Sequence, residues 1–114
     1  MDENVLKEFT VFLKKKYKGI VQELRLEYDK ELECPFIYLH TIKIRKPLRC
    51  QGYGSTVLQE IIKFADMNDL EIRLYATNIL GSDLNRLYDF YIRYGFELIK
   101  NDCGKFVRKS KKTL

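Results

Sequence analysis

Apolar positions along the chain fall into two rhythms, one of helices and one of strands. Val5, Leu6, Phe9, Phe12 and Leu13 recur at helical spacing and run into Lys14, Lys15 and Lys16 ahead of Gly19. Cations in a last turn followed by glycine make a helix stop. Leu24, Leu26 and Tyr28 then alternate with Arg25 and Glu27, the period of a half-buried strand. A polar turn is predicted over 29–33. It leads through Pro35 into a strand over 36–44 with apolar residues on both faces, as a central strand has. Val57, Leu58, Ile61, Ile62 and Ala65 mark a helix beginning at about Ser55, and Ile72, Leu74 and Ala76 mark another strand. Ser82 or Asp83 is placed to cap a third helix, whose stripe is Leu84, Leu87, Tyr88, Tyr91 and Ile92 and whose end is Gly95. Two short closing strands, 96–99 and 105–108, flank a turn over 101–104.

The middle of this order is strand, glycine loop, helix, strand, which makes a right-handed crossover between parallel strands. The fold class is therefore α/β, a central mixed sheet flanked by helices, and 114 residues make one domain spanning 1–114. A composition of 46% hydrophobic and 32% charged residues excludes a disordered chain. No apolar run approaches the roughly 20 residues of a membrane span. The first residues carry Asp2, Glu3 and Glu8, unlike a secretory signal. Cys34, Cys50 and Cys103 are odd in number and far apart, and His40 is the only histidine, so no metal site is expected. Reduced thiols point to the cytoplasm.

The net charge of +5 suits an anionic partner, be it nucleic acid, a phosphorylated cofactor or an acidic protein. Part of it lies in Lys43, Arg45, Lys46 and Arg49, and part in a basic tail of Arg108, Lys109, Lys111 and Lys112. The first cluster adjoins the loop Arg49-Cys50-Gln51-Gly52-Tyr53-Gly54-Ser55-Thr56, between a strand and a helix. Glycine lets backbone approach a ligand closely, and the first amides of a helix lack intrahelical partners, so a phosphate suits that position. The loop lacks the Gly-Lys-Ser/Thr ending of a P-loop. A dinucleotide fingerprint would need a small residue where Val57 stands. Cys50 has no acid-base partner in the pattern and reads as structural.

Arg49, Gly52 and Gly54 fit the pattern Arg/Gln-x-x-Gly-x-Gly/Ala, which resembles the pyrophosphate-binding motif of GNAT N-acetyltransferases. Phe90-Tyr91 followed by Gly95-Phe96 is similar to that family's aromatic-Tyr-x-x-x-Gly-Phe block, in the expected order along the chain. The resemblance covers about 36–107 and implies a small acyltransferase that moves an acetyl group from acetyl-coenzyme A to an amine, with no metal. It implies pyrophosphate contacts from Arg49, Cys50, Gln51, Gly52, Tyr53, Gly54, Ser55 and Thr56. Main-chain contacts from Ile42, Lys43 and Ile44 would hold the pantetheine arm, and a weaker cofactor contact falls to Asn85. Tyr91 would protonate the departing thiolate. The family often places a glutamate base on the strand matching 36–44; this chain offers His40 there instead, expected on one strand face with Tyr38, Ile42 and Ile44.

The short N-terminal portion implies an open acceptor site, suited to a protein or peptide amine, and the chain is expected as a monomer or homodimer. Two alternatives stay open. One is a non-catalytic GNAT-like module that binds coenzyme A or a partner. The other is a basic nucleic-acid-binding protein, against which the core spacing of most aromatic residues argues.

Overall fold

The structure is a computed structural model that describes residues 3–31, 34–49, 51–76, 84–99 and 104–110. Helix α1 (Glu3–Lys16) leads into a long hairpin of β1 (Val21–Glu31) and β2 (Cys34–Ile44). A 3₁₀ turn (Lys46–Leu48) precedes α2 (Tyr53–Met67), then come β3 (Glu71–Tyr75), α3 (Leu84–Arg93), β4 (Glu97–Leu98) and β5 (Lys105–Arg108). The five strands order as β1-β2-β3-β5-β4, with β2 and β3 parallel and every other pair antiparallel. This is the mixed α/β sheet expected, with the crossover through α2.

The hairpin is longer than the polarity of 29–33 suggested. Asp29 pairs with Phe36, Lys30 with Pro35 and Glu31 with Cys34, so 29–31 belong to β1 rather than to a turn. As the sheet edge, β1 can present polar side chains to water, and polarity is no bar to pairing there. Helix α2 begins two residues earlier than the apolar stripe indicated.

The core lies between one sheet face and the helices. Leu24, Ile37, Leu39, Ile72, Leu74 and Phe106 from the strands are buried with Leu6 and Leu13 of α1 and Val57, Leu58, Ile61 and Ala65 of α2. Phe9 of α1 stacks on Phe64 of α2 at 4.1 Å. Tyr88 and Tyr91 of α3 meet Phe106 at 5.0 and 5.6 Å. The opposite sheet face carries Phe36, over which the Arg73 guanidinium sits at 4.0 Å, with Tyr38 and Tyr75 beyond. Arg108 was grouped with the basic tail from sequence. It is instead buried, donating to both oxygens of Asp66 in α2 at 2.8 and 3.1 Å and to the Tyr94 carbonyl at 3.0 Å.

Arg25 pairs with Thr41 and Leu26 with Leu39, which leaves His40 as one extra residue in β2. Such a bulge resets the two-residue alternation of side chains. Leu39 and Ile42 therefore turn to the core, and Ile44 lies 4.0 Å from where a Gly54 Cβ would stand. His40 stays with Tyr38 on the other face, their rings 4.3 Å apart. The expected sharing of a face by His40, Ile42 and Ile44 is thus corrected by the bulge.

Candidate active site

Two features of the sheet leave the edge of β2 open at its middle. The β2–β3 ladder runs only from Phe36 opposite Glu71 to Tyr38 opposite Arg73. Both strands continue past it, to Ile44 and Tyr75, without pairing to each other. The bulge at His40 falls just beyond the last pair, and a bulge bends the strand that carries it. The edge of β2 over 39–44 that faces β3 thus has no strand partner among the described residues. Ile42, Lys43 and Ile44 lie on this stretch, and their backbone groups can receive an extended ligand as an added strand would be received.

The start of α2 lies next along the chain. Gly52 caps it in the left-handed conformation, φ 85° and ψ 1°, and no side chain caps the helix. The amides of Tyr53, Gly54 and Ser55 make no backbone hydrogen bond to a described residue. Left uncapped, they present donors and the positive end of the helix dipole to an anion. Thr56 is used inside the turn, since its amide and hydroxyl both donate to the Gly52 carbonyl at 3.0 Å. Arg49 folds back, Nε donating to the Ile44 carbonyl at 3.0 Å, and so ties the turn to the end of β2. Gln51 donates to the Pro47 carbonyl at 3.3 Å. Arg45, Lys46 and Arg49 are exposed around this turn. Cys50 lies outside the described residues, as does the side chain of Asn85, whose backbone is in the first turn of α3.

Ser55 has a role its sequence position did not reveal. Its hydroxyl is hydrogen bonded to the Tyr94 hydroxyl, and Gln59 Nε2 donates to Ser55 at 3.2 Å and to Tyr94 at 3.3 Å. Bonds from Ser55 and Gln59 hold the Tyr94 phenol below its usual pKa. The cluster binds the end of α3 to the first turn of α2.

The end of α3 explains its sequence block. Gly95, at φ 90°, donates to the Ile92 carbonyl at 3.0 Å, and Phe96 donates to the Tyr91 carbonyl at 3.1 Å. This is a Schellman cap, which wants glycine at the left-handed position and an apolar residue after it. The Phe96 ring packs on the Tyr91 ring at 5.5 Å. Tyr, Gly and Phe at this spacing therefore fix one another. Burial pushes the Tyr91 phenol up, so it keeps its proton at neutral pH. Tyr88 shares the inner face of α3 and its hydroxyl lies near Gly104; the helical stripe contained it, but nothing in the sequence singled it out.

His40 is joined by a residue that sequence reading passed over. Glu27 Oε2 lies 3.2 Å from His40 Nε2, and Glu27 Oε1 lies 3.1 Å from Arg25 Nη2. Strand alternation puts both Glu27 and His40 on the outer face, and the pairing of Glu27 with Tyr38 brings the carboxylate to the imidazole.

No protein-family model matches the sequence, and no curated protein matches it either. Solved structures do. The AtaT–AtaR complex bound to DNA aligns with a TM-score of 0.62 and 18% identity, over 81% of this chain and 60% of that one. Naa50 of Arabidopsis thaliana, in complex with the bisubstrate analogue CoA-Ac-MVNAL, aligns with a TM-score of 0.55 and 20% identity, over 77% of this chain and 62% of that one. The KacTA–DNA complex aligns with a TM-score of 0.60 and 18% identity, over 96% of this chain and 81% of that one. This chain thus spans under two thirds of the first two. The fold that this chain shares with them is the GNAT acyltransferase fold. No helix among the described residues is long and apolar enough to cross a membrane, and no cluster of three or more His, Cys, Asp or Glu that could hold a metal occurs among them.

Proposed function

We propose that this chain, with its GNAT fold, transfers an acetyl group from acetyl-coenzyme A to a primary amine in a ternary complex. One observation carries the reading: an uncapped helix start behind a left-handed glycine adjoins a strand edge that the sheet leaves unpaired. A diphosphate fits the first, through the amides of Tyr53, Gly54 and Ser55 with Arg45, Lys46 and Arg49 around them. A pantetheine amide chain fits the second, through the backbone of Ile42, Lys43 and Ile44. Naa50, similar in fold, was solved with an analogue that joins coenzyme A to a peptide. That supports a peptide or protein amine as acceptor.

The chemistry then follows the residues. The amine nitrogen attacks the thioester carbonyl carbon while His40 takes its proton. A β2 amide near the bulge donates to the oxygen that gains charge. The carbon–sulfur bond breaks, and the Tyr91 hydroxyl gives its proton to the leaving thiolate, later regained from solvent. The products are an amide and the free thiol.

The test is a titration with acetyl-coenzyme A followed by transfer to peptides bearing a free N-terminal amine or lysine. Tyr91→Phe is expected to lower kcat on the order of 10²-fold while leaving acetyl-coenzyme A affinity within about twofold. Unchanged turnover would remove Tyr91 from the mechanism. Two similar structures contain DNA. Titration of duplex DNA at two salt concentrations therefore decides the nucleic-acid reading, since phosphate-driven binding falls steeply with salt.

A further inference from the structure

The carboxylate of Glu27 bridges two partners. Oε1 lies 3.1 Å from Arg25 Nη2 and Oε2 lies 3.2 Å from His40 Nε2. The extra residue in β2 leaves His40 out of the pairing register, while strand alternation lays its ring beside Tyr38, which pairs with Glu27. Tyr75 of β3 stands behind Tyr38, their rings 6.3 Å apart. Glu27 of β1 and Tyr38 of β2 thus contact this imidazole, with Arg25 behind Glu27 and Tyr75 behind Tyr38. The contact with His40, and secondarily that with Arg25, holds the Glu27 carboxyl below the usual range. An ionised carboxylate only accepts, so Nε2 must be the donor, and a neutral ring then keeps its lone pair on Nδ1. The side chains of His40 and Glu27 are 30% and 52% exposed, so an acceptor can approach the pair.

We infer that Glu27 is a positioning residue for His40: it fixes the Nε2–H tautomer and presents Nδ1 as the proton acceptor at the bulge. This rests on the acetyltransferase reading. As the amine nitrogen bonds to the acetyl carbon and the carbon–sulfur bond breaks, the amine proton passes to Nδ1. The imidazolium formed lies against the Glu27 carboxylate, which stabilises it. Arg25 occupies the second oxygen and keeps the carboxylate turned.

His40 is the only histidine, so its ring nitrogens give a single set of ¹⁵N resonances. Glu27→Ala removes the acceptor, whereas Glu27→Gln keeps an acceptor oxygen without the charge. With the ring neutral, the wild-type protein and Glu27→Gln are expected to show the Nε2–H signature, and Glu27→Ala a mixture of tautomers. With acetyl-coenzyme A and a peptide amine, Glu27→Ala should lose about tenfold in kcat, a part of the roughly 10²–10⁴ that a general base supplies. Glu27→Gln should regain part of that loss, and KM for acetyl-coenzyme A should stay unchanged. A wild-type tautomer signature in Glu27→Ala would overturn the inference, as would wild-type kcat in Glu27→Ala beside an impaired His40→Gln. Absence of transfer by the wild-type protein to every amine tried would instead overturn the acetyltransferase reading, and the nitrogen resonances would still decide what Glu27 does to the ring.

Discussion

Gly52 holds φ at 85°, and a Cβ there would meet nothing within 4 Å. Any side chain at this position is therefore opposed by the backbone rather than by crowding. Gly52→Val should cost about 1–2 kcal/mol of stability, because a β-branched residue resists the left-handed region. It should also abolish acetyl-coenzyme A binding, since relaxing φ re-aims the helix-start amides. Gly52→Asn, whose side chain tolerates that region, should keep measurable affinity. Calorimetric titration of folded protein checks both. Gly104 differs in kind: at φ 81° its Cβ would stand 2.7 Å from the Ala76 carbonyl oxygen, so both strain and contact reserve the position for glycine. Sequence reading found Gly52, Gly54 and Gly95 because each borders a helix with a clear stripe. It could not find the Gly104 contact, which comes from Ala76, just past the end of β3 and far away in the chain.

Arg108 ties one strand to two helices. Its guanidinium joins β5 to the C-terminal part of α2 through Asp66 and to the end of α3 through the Tyr94 carbonyl. Removing Asp66 leaves a buried charge without its carboxylate, which is far costlier than losing an exposed pair. Asp66→Ala should destabilise by about 3 kcal/mol, read from chemical denaturation. An exposed pair such as Lys7–Glu3 should contribute only a few tenths of a kcal/mol. From sequence Arg108 belonged with its basic neighbours. The correction comes from the ladder, which turns it to the same face as Phe106, two residues away, where α2 lies.

At the scale of the molecule, α1 is clamped to α2 by the Phe9–Phe64 stack, by Lys16 to Glu60 at 3.0 Å and by the Tyr17 hydroxyl to Glu60. Burial first, and then the bond to Glu60, push the Tyr17 phenol up to about 12 from its ordinary 10.0. The neutral phenol is the form the fold favours. Its contribution is complete below pH 10.0 and is lost as pH rises toward about 12. Tyr17→Phe should be less stable than the wild type near pH 8, and the difference should shrink between pH 10 and 12, measured by denaturant unfolding across that range. A constant difference would detach Tyr17 from alkaline unfolding.

The sequence by itself determined the elements and their stops. Helical stripes, strand alternation and glycines sufficient for left-handed caps are properties of neighbours along the chain, and so are the left-handed turn at Gly52 and the Tyr91–Gly95–Phe96 cap. Only the tertiary structure decided which residues from separate elements meet. It inserted β5 between β3 and β4, buried Arg108 on Asp66, tied Ser55 to Tyr94, and set His40 against Glu27 through the register of β1 on β2. Strand register is an energetic choice over the whole sheet, and a one-residue slip reverses every side chain beyond it. No local pattern around His40 carries that information.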